Sequence, residues 1–252
     1  MQTYNRPLYY EIAFSFVDPK KQVDLFEKLI KKYGKAKAGG FLDIGCGPGP
    51  QLLELAKRGY EAVGLDKSAA MLGYLREKAK KEGLKIETIR ADMTGFKLTK
   101  KACFAFIMMG TIGYFKSSPD FLKHLDSVGN SLRQGGLYFI ENFALDWADK
   151  NLFRPQVWTM EKDGIQVKTA YKIELKDTLK QVVTETLEFI VDDHGKKLDF
   201  GHKIDKKIIF PQEFLTLVES NKKFEFIGWF EHNGMKPLKK AGMNNYILLR
   251  RK

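Results

Sequence analysis

The chain has 252 residues, 44% of them hydrophobic, which suits one α/β domain with an embellishment, or two small domains. Neither a membrane span nor a signal peptide is predicted, because the longest uncharged run, residues 102–115, is too short and the N-terminus lacks a basic and apolar leader. The two cysteines do not suggest a disulfide framework, so we expect a cytoplasmic protein, with no membrane partner. The net charge of +12 comes without an arginine-rich run, which disfavours nucleic acid as a partner but does not exclude it.

Residues 1–40 are predicted to form a helical N-terminal segment. Asp18-Pro19 has the sequence of an N-cap followed by a first helical residue, apolar side chains then recur at helical spacing, and Gly34 ends the helix. The stretch Tyr9-Tyr10-Glu11-Ile12-Ala13-Phe14 before it is rich in aromatic residues. We expect this stretch either to dock on a sheet or to close over a ligand.

A glycine-rich loop follows the first predicted strand, in the sequence Phe41-Leu-Asp-Ile-Gly-Cys-Gly-Pro-Gly49. A strand, a glycine loop and a helix start in this order are typical of α/β proteins that bind a nucleotide-like ligand, since glycine lets a ligand contact the main chain. A dinucleotide fingerprint needs its third glycine where this chain has Pro50, which disfavours an NAD-dependent enzyme. Asp43, two residues before the first glycine, favours a cationic ligand over a pyrophosphate.

Strands and helices alternate from this loop to about residue 142. The predicted strands are 41–44, 62–65, 85–90, 104–109 and 137–142. The predicted helices are 49–58, one from the cap Ser68 to Gly83, and one from the cap Ser118-Pro119 to Gly135-Gly136. Repeated βα units imply a doubly wound α/β fold, with a parallel sheet, right-handed crossovers and helices on both faces.

The pattern changes to a two-fold alternation of apolar and polar residues after residue 150. The predicted strands of this region are 165–175, 182–191 and 198–210. They indicate an antiparallel meander with one wet face, inserted into the parallel fold. Pro211 then begins another helix, and two last strands cover 224–230 and 246–250.

The loop and the order of elements resemble the class I S-adenosylmethionine-dependent methyltransferases. Asp43-Ile-Gly-Cys-Gly-Pro-Gly49 matches their motif I, (D/E)-x-G-x-G-x-G. The resemblance implies a mostly parallel seven-stranded sheet of order 3-2-1-4-5-7-6 with one antiparallel strand. It also implies that residues 41–149 and 211–252 form the core that binds S-adenosylmethionine, with no metal. The meander, residues 150–210, is similar to the insertion that covers the active site of small-molecule N-methyltransferases, and residues 1–40 are similar to their N-terminal lid.

The resemblance assigns cofactor contacts to residues near the carboxyl ends of the predicted strands, where ligands bind in open α/β sheets. Asp43 is expected to face the ammonium group of the cofactor, Asp66 its ribose hydroxyls and Asp92 its adenine amino group. The alternatives are a helix cap for Asp66, beside Ser68, and a core position for Met109. The predicted cofactor-binding set is Tyr10, Asp43, Gly45, Cys46, Gly47, Gly49, Asp66, Lys67, Met71, Asp92, Met93 and Met109.

The activity that the resemblance implies is in-line methyl transfer to a small molecule, with S-adenosylhomocysteine as the product. Such a reaction needs alignment and exclusion of water, and it needs a general base only when the acceptor must lose a proton. Tyr171, His202 and His232 are candidate bases, but none is assigned as catalytic. His202-Lys203 and Lys206-Lys207 are alternatively expected to bind an anionic substrate.

Two features separate this chain from parts of the family. The family usually has an acid near the start of strand four, where this chain has Ala105, at the end of the strand far from the ligand. The chain also lacks the Asn-Pro-Pro-Tyr-like tetrapeptide of DNA and glutamine N-methyltransferases. Two alternatives stay open: an RNA or protein methyltransferase, which the net charge of +12 favours, and a non-catalytic nucleoside-binding module.

Overall fold

The structure is a computed structural model that describes residues 3–37, 39–143, 146–147, 149–232, 234–242 and 244–252. Within these residues the helices are α1 (Pro7–Ala13), α2 (Pro19–Tyr33), α3 (Pro50–Lys57), α4 (Ala69–Lys81), α5 (Ser118–Ser131) and α6 (Pro211–Asn221). The strands are β1 (Phe41–Ile44), β2 (Ala62–Asp66), β3 (Glu87–Arg90), β4 (Ala102–Ile107), β5 (Leu132–Glu141), β6 (Gln156–Lys162), β7 (Ile165–Asp177), β8 (Val182–Asp193), β9 (Lys196–Lys207), β10 (Phe224–Glu231) and β11 (Asn245–Arg251). Short 3₁₀ turns lie at Thr3–Asn5, Thr111–Tyr114 and Lys150–Phe153.

The larger sheet has seven strands in the order β10-β11-β5-β4-β1-β2-β3. Neighbouring strands from β3 to β5 are parallel, whereas β11 is antiparallel to both β5 and β10. The predicted doubly wound α/β class, the strand order and the one strand of opposite direction are therefore confirmed. The order reverses between β1 and β4, so the carboxyl ends of these two strands border the crevice where such folds bind ligands.

Residues of β4 show why this sheet is buried on both faces. Phe104 and Phe106 pack on Phe26 of α2, with ring centroids 4.9 and 4.8 Å apart. Ala105 points to the opposite layer and is also fully buried, because successive strand residues face opposite sides. An acid at position 105 would have no access to water, so alanine at this departure from the family pattern suits the packing.

The smaller sheet, here called the cap sheet, is antiparallel and has the order β6-β7-β8-β9. It contains the predicted meander and one further strand, β6. Sequence patterns do not predict β6, because this edge strand buries few side chains and lacks a run of apolar alternation. β9 ends at Lys207 rather than at residue 210, because its partner β8 begins only at Val182, after Gln181 with a φ of 55°.

Two boundaries of α5 differ from the prediction. The N-cap is Ser117 rather than Ser118, because the Ser117 hydroxyl accepts a backbone N–H from the first turn at 3.3 Å. The helix ends at Ser131 and β5 begins at once, so Gly135 lies inside the strand instead of ending the helix. Gly135 has a φ of 76°, and its carbonyl accepts the N–H of Lys35 at 2.9 Å, which docks the linker after α2 on an irregularity of β5.

The short helix α1 joins the two sheets, because it lies against α4 on one side and against β6 and β7 on the other. Glu11 accepts hydrogen bonds from Tyr74 and Lys78 of α4. On the opposite side, the indole N–H of Trp158 in β6 donates to the carbonyl of Ala13 at 2.7 Å. The cap sheet is thus held against the larger sheet through this helix.

The division into a lid (1–40), a core (41–149 and 211–252) and a cap (150–210) stays a prediction. Of these regions, residues 1, 2, 38, 144, 145, 148, 233 and 243 lie outside the described residues.

Candidate cofactor and acceptor sites

Three glycines with positive φ turn the chain between β1 and α3. Gly45, Gly47 and Gly49 have φ angles of 72°, 53° and 66°. A Cβ at Gly45 would lie 2.8 Å from Thr111, and one at Gly49 would lie 2.7 Å from Leu75, so these two glycines permit close packing. A Cβ at Gly47 would meet no described heavy atom within 4 Å. The main chain at Gly47 therefore faces open space, as contact with a ligand requires.

Two backbone N–H groups hold Asp66 at the end of β2. Its Oδ2 accepts from Gly47 at 2.8 Å, and its Oδ1 accepts from Ser68 at 2.8 Å. Burial raises the pKa of Asp66, and these hydrogen bonds oppose the rise. Each carboxylate oxygen keeps a second lone pair, so both oxygens can still accept hydroxyl donors. The N-cap of α4 is the Ser68 hydroxyl itself, which accepts the N–H of Met71 at 3.3 Å.

Asp66 and Glu141, at the carboxyl ends of β2 and β5, lie close enough to Asp43 in β1 to repel its charge. Asp43 is 2% exposed, and among the described residues its carboxylate has neither a hydrogen-bond donor nor an ion-pair partner. Burial raises the pKa of Asp43 well above its usual range, and the charges of Asp66 and Glu141 raise it further. A cation bound here would favour the ionised form, because it would supply the missing opposite charge.

Glu141, which is absent from the predicted set, ends β5 and is 2% exposed. Its carboxylate accepts the N–H of Met109 at 2.7 Å, and the His232 Nε2 lies 2.6 Å from its Oε1. Met109 has a φ of 56°, so this hydrogen bond holds the loop after β4 in a conformation that side-chain-bearing residues rarely adopt. The sequence could have indicated Glu141 as a site residue, because it is the last residue of a parallel strand, as Asp66 is.

The loop after β3 places Asp92 at the outer edge of the crevice. Asp92 accepts from Lys67 Nζ at 2.6 Å and from the N–H of Thr94 at 2.8 Å. The hydrogen bond from Lys67 and those from Thr94 lower the pKa of Asp92 to about 2. Both Asp92 and Lys67 keep substantial exposure, so either can still reach a ligand.

His124 of α5 holds this loop from the core side and is also absent from the predicted set. Its Nδ1 lies 2.9 Å from the carbonyl oxygen of Met93, and its Nε2 lies 2.6 Å from the Tyr138 hydroxyl. A carbonyl can only accept, so Nδ1 carries the proton and Nε2 accepts from Tyr138. Burial lowers the pKa of His124 to about 4 despite the hydrogen bond to Met93, so the ring is neutral at neutral pH.

Two residues of the predicted cofactor set are buried in the core. Met71 has no exposed surface, and Cys46 is 6% exposed. The Cys46 Sγ lies 2.9 Å from the position of a Cβ at Gly64, and its backbone N–H donates to Leu65 at 3.0 Å. Side-chain contacts of Cys46 and Met71 with a cofactor thus stay predictions.

Tyrosines of the N-terminal segment lie over the crevice. Tyr10 packs between Tyr4 and Phe14, with ring centroids 5.9 and 4.7 Å away. Tyr4 is absent from the predicted set, and its hydroxyl lies 2.6 Å from the hydroxyl of Tyr114. The backbone carbonyl of Tyr4 accepts a hydrogen bond from the Ser68 hydroxyl at 2.8 Å. Burial raises the pKa of Tyr4 to about 12. The segment therefore lies between the end of β2 and the cap sheet, as a lid requires.

A cavity of about 140 Å³ lies between the loop after β4 and the cap sheet. Its floor includes Met109, Gly110 and Gly113, and its roof includes Tyr171 and Glu185. The backbone N–H of Met109 donates to Glu141, which lies beside Asp43, so the cavity adjoins the predicted cofactor site.

Glu185 organises a buried polar cluster on the inner face of the cap sheet. It accepts from Lys206 at 2.6 Å, from Tyr171 at 3.1 Å and from Tyr114 at 3.3 Å. The Nε2 of His202 lies 3.5 Å from its Oε1. Burial by itself would raise the pKa of Glu185, but Lys206 and His202 outweigh it and lower the pKa to about 2. Glu185 is therefore ionised at neutral pH and is a poor proton acceptor.

The three candidate bases lie in two places. Tyr171 and His202 belong to the cluster around Glu185, and burial raises the pKa of the Tyr171 hydroxyl. His202 Nδ1 also lies 3.1 Å from the Thr3 hydroxyl. His232 lies instead beside Glu141, at the end of β5. The geometry assigns none of them as a catalytic base.

In the part of the chain that the structure describes, no group of three or more His, Cys, Asp or Glu side chains is arranged to hold a metal ion. Cys46 and Cys103 are both free thiols. None of the described helices is long and apolar enough to cross a bilayer.

Part of the chain is similar in sequence to methyltransferases. Residues 41–136 match a family model described as a methyltransferase domain. A candidate methyltransferase of Geobacillus sp. (strain WCH70) is 25% identical over 171 residues, which are 68% of each chain. The dTDP-3-amino-3,4,6-trideoxy-alpha-D-glucopyranose N,N-dimethyltransferase of Streptomyces venezuelae is 27% identical over 124 residues, 47% of this chain and 51% of that relative. The matched region thus spans about half of the second relative.

A solved structure shares the fold over almost the whole chain. It is an S-adenosylmethionine-dependent methyltransferase from Clostridium acetobutylicum ATCC 824, with a TM-score of 0.80 and 18% identity over 97% of this chain and 96% of that chain. The domain match over residues 41–136 and the observed strand order agree with the predicted family. Residues 41–136 thus match a methyltransferase domain, and the chain shares the fold of that solved methyltransferase along almost its whole length.

Proposed function

We propose that this chain transfers a methyl group from S-adenosylmethionine to a small molecule. One observation carries the proposal: Asp43 is a buried carboxylate without a partner among the described residues, beside Asp66 and Glu141, at the start of the glycine loop. S-adenosylmethionine carries an ammonium and a sulfonium but no phosphate. Its charges complement these carboxylates, whereas the pyrophosphate of NAD would be repelled by them.

The residues present fit the parts of this cofactor. Asp43 offers an acceptor for the ammonium group, and Gly47 leaves its main chain open to the ligand. Asp66 keeps free lone pairs for the ribose hydroxyls, and the partly exposed carboxylate of Asp92 can accept a hydrogen bond from the adenine amino group. When bound, the cofactor supplies a sulfonium methyl group that is already activated for in-line displacement.

The size and position of the cavity support a small acceptor. The cavity of about 140 Å³ borders Met109 and is roofed by the cap sheet, so an acceptor would sit between the cofactor site and the Glu185 cluster. The methyltransferase of Streptomyces venezuelae that is named for an amino sugar supports a small-molecule acceptor as well. An RNA or protein would have to pass the cap sheet to reach this position, which makes such acceptors the weaker alternative.

The protein's own contribution to the reaction is alignment and exclusion of water. The floor at Met109 is fixed by Glu141, and the roof is fixed by the hydrogen bonds of Glu185. Tyr4 and Tyr10 cover the crevice from the N-terminal side. Holding donor and acceptor in a dry, fixed geometry supplies several kcal/mol of barrier reduction, about 7 or more in favourable cases.

Titration calorimetry on cofactor-free protein tests the cofactor assignment. S-adenosylmethionine and S-adenosylhomocysteine should bind and NAD should not. Asp43→Asn should weaken S-adenosylmethionine binding by at least about tenfold, because it removes a charge-assisted contact. Asp199→Asn, on an exposed position of β9, is the matched control and should bind normally. No uptake of either nucleoside at millimolar concentrations would contradict the proposal.

Methyl transfer itself needs a second measurement. Radiolabelled S-adenosylmethionine incubated with the protein and a fractionated extract of the source organism should label a low-molecular-weight compound, and Asp66→Ala should serve as the blank. Label in RNA or protein fractions would favour the alternative acceptors. Binding without any transfer would favour a non-catalytic nucleoside-binding module.

A further inference from the structure

The cavity beside Met109 has walls of two different kinds. Most of its lining is apolar, from both the core and the cap sheet. These apolar residues include Ile112, Phe143, Leu152, Ile173, Val183 and Ile209. Among the described lining residues, the charged ones are Glu185, Lys206 and Lys207, which all come from the cap sheet. A ligand that fills this cavity therefore meets apolar surface along its body and charge at one end.

The strand pairing explains why the charge is confined to one place. Val183 pairs with Lys206 and Ile173 pairs with Glu185, and residues that pair directly in an antiparallel sheet point to the same face. The alternation along β9 puts Lys206 on the inner face and Lys203, an exposed residue, on the outer one. Lys206 and Glu185 are accordingly the charged pair that the sheet turns toward the cavity.

Glu185 has little capacity left to bind a ligand. Lys206, Tyr171 and Tyr114 all donate to its carboxylate, and His202 lies 3.5 Å away. The two oxygens of a carboxylate have about four acceptor positions in total, and the three hydrogen bonds use most of them. Glu185 thus fixes the cluster rather than the ligand.

Lys206, unlike Glu185, keeps capacity to bind a ligand. Its ammonium group has three N–H donors and one described hydrogen bond, to Glu185. It also lies 4.3 Å from the centre of the Tyr114 ring, and its side chain is 11% exposed. Two donors of a largely buried cation are therefore available on a cavity wall. A buried cation with unused donors favours an anion or a strong hydrogen-bond acceptor.

The other basic groups of this strand are used elsewhere. Lys207 donates to Gln181 Oε1 at 2.6 Å and to the carbonyl of Lys180 at 3.2 Å. His202 is engaged with Thr3 and lies beside Glu185. Of the four basic residues that the sequence offers for an anionic substrate, Lys206 is the one that combines burial, spare donors and a place on the cavity wall.

We propose that the methyl acceptor is a small apolar molecule, aromatic or alkyl, that carries one anionic group, and that Lys206 binds this group. The proposal rests on the proposed function, because it names the acceptor class of that same reaction. An amino sugar fits the cavity less well, since several of its hydroxyls would be buried against apolar walls without hydrogen-bond partners.

Three probes separate the apolar body from the anionic group. The protein is first saturated with S-adenosylhomocysteine and then titrated with benzoate, benzyl alcohol or glucuronate. Benzoate combines both features, benzyl alcohol lacks the charge, and glucuronate carries the charge on a polar body. Benzoate should bind at least about tenfold more tightly than either of the other two. Equal or tighter binding of glucuronate, or no binding of benzoate at millimolar concentrations, would overturn the proposal.

Variants of Lys206 test the role of that residue. Lys206→Met should remove the preference for benzoate over benzyl alcohol while S-adenosylhomocysteine binds as before. Lys203→Met, on the outer face of the same strand, should keep the preference. Because Lys206→Met leaves Glu185 unpaired, the double variant Lys206→Met with Glu185→Gln removes both charges and guards against misfolding. An unchanged preference in the double variant would refute the assignment, whereas loss of S-adenosylhomocysteine binding in the wild type would refute the proposed function instead.

Discussion

The two sides of the site treat buried charge in opposite ways. On the core side, Asp43 is buried without a partner among the described residues, and its neighbours Asp66 and Glu141 add further negative charge. On the cap side, Glu185 is equally buried but accepts three hydrogen bonds and faces Lys206. The pKa of Asp43 is raised well above its usual range, whereas that of Glu185 is lowered to about 2.

This difference teaches what each side is built for. A carboxylate without a partner gains most from a ligand that brings a positive charge, so the core side is completed by binding. A carboxylate that already accepts three hydrogen bonds, one of them from Lys206, gains little more from a ligand, so on the cap side the group left to bind a ligand is the Lys206 ammonium. The following variants break or sharpen this contrast, from the largest expected effect to the smallest.

Removing Glu185 should cost the most stability. Glu185→Ala leaves the ammonium of Lys206 and the hydroxyls of Tyr171 and Tyr114 without their acceptor, and breaking a buried pair costs about 3 kcal/mol or more. Urea unfolding of the cofactor-free protein measures this. Glu188→Ala, on the exposed face of the same strand, is the control and should change stability by less than about 0.5 kcal/mol. Similar losses in both variants would show that the cluster contributes little.

The same residue sets a pH dependence. Because the pKa of Glu185 falls from about 4.5 to about 2 on folding, the folded state holds fewer protons than the unfolded state between these values. The stabilisation is present above about pH 4.5 and is lost as the pH falls toward 2. The stability difference between wild type and Glu185→Gln should shrink over this window.

His124 gives an intermediate case, a buried group that is fully bonded but uncharged. His124→Phe keeps a ring against Phe115 and Phe121 but leaves the Met93 carbonyl and the Tyr138 hydroxyl unsatisfied, which should cost about 2 kcal/mol. Cofactor affinity should fall several-fold, since the adjacent loop carries Asp92. Differential scanning calorimetry and titration calorimetry measure the two effects.

A double variant and a pH series serve as controls for His124. Adding Tyr138→Phe removes one unsatisfied group and should recover part of the stability. Because burial lowers the pKa of His124 from 6.5 to about 4, the stabilisation by the neutral ring is present above about pH 6.5 and declines as the pH falls toward 4. His124→Phe should lack this decline, and an identical pH profile would contradict the assigned neutral state.

Substitution of Asp43 should raise the stability of the protein, whereas substitution of Glu185 or His124 should lower it. Burial and the neighbouring carboxylates raise the pKa of Asp43 well above its usual range, so its ionisation opposes folding, and Asp43→Asn should stabilise the cofactor-free protein at neutral pH, on the order of 1 kcal/mol. The wild type should lose stability as the pH rises from the unfolded pKa of the carboxyl group to its raised folded value, and the variant should not. Thermal unfolding from pH 4 to 8 measures both curves. A loss of stability on substitution would mean that Asp43 has a structural role.

Much of this contrast could be predicted from the sequence, and the rest could not for identifiable reasons. Asp43, Asp66 and Asp92 follow strands whose apolar runs are plain, so their common edge follows from the parallel order. Glu141 lies inside the predicted strand 137–142 rather than directly after it, and only the folded chain shows its carboxylate beside Met109 and Asp43. His124 lies on a helix face that reads as apolar packing, and only the folded chain shows both of its ring nitrogens bonded.

The cap side was harder to predict because its contacts join distant parts of the chain. Tyr4, Tyr114 and Glu185 are far apart in sequence, and no spacing rule relates them. The alternation of β9 predicts that Lys206 and Lys203 face opposite ways, but it does not say which face is inside. That choice depends on where α1 and the loop after β4 pack, which is a property of the tertiary structure.

Lys67 and Asp92 should show the smallest effect, because they form an ion pair on the core side that stays exposed. Their side chains are 74% and 43% exposed, and such pairs contribute less than about 1 kcal/mol. Lys67→Met should therefore leave unfolding almost unchanged, while the pKa of Asp92 rises from about 2 toward its usual value of 3.8 in a carboxyl NMR titration. Lys81→Met, at an exposed position of α4, should move neither quantity. If Lys67 also contacts the cofactor, as the family resemblance implies, cofactor affinity falls without any loss of stability. A fall in stability as large as that of Glu185→Ala would instead erase the contrast between the two sides, because it would make an exposed pair equivalent to a buried one.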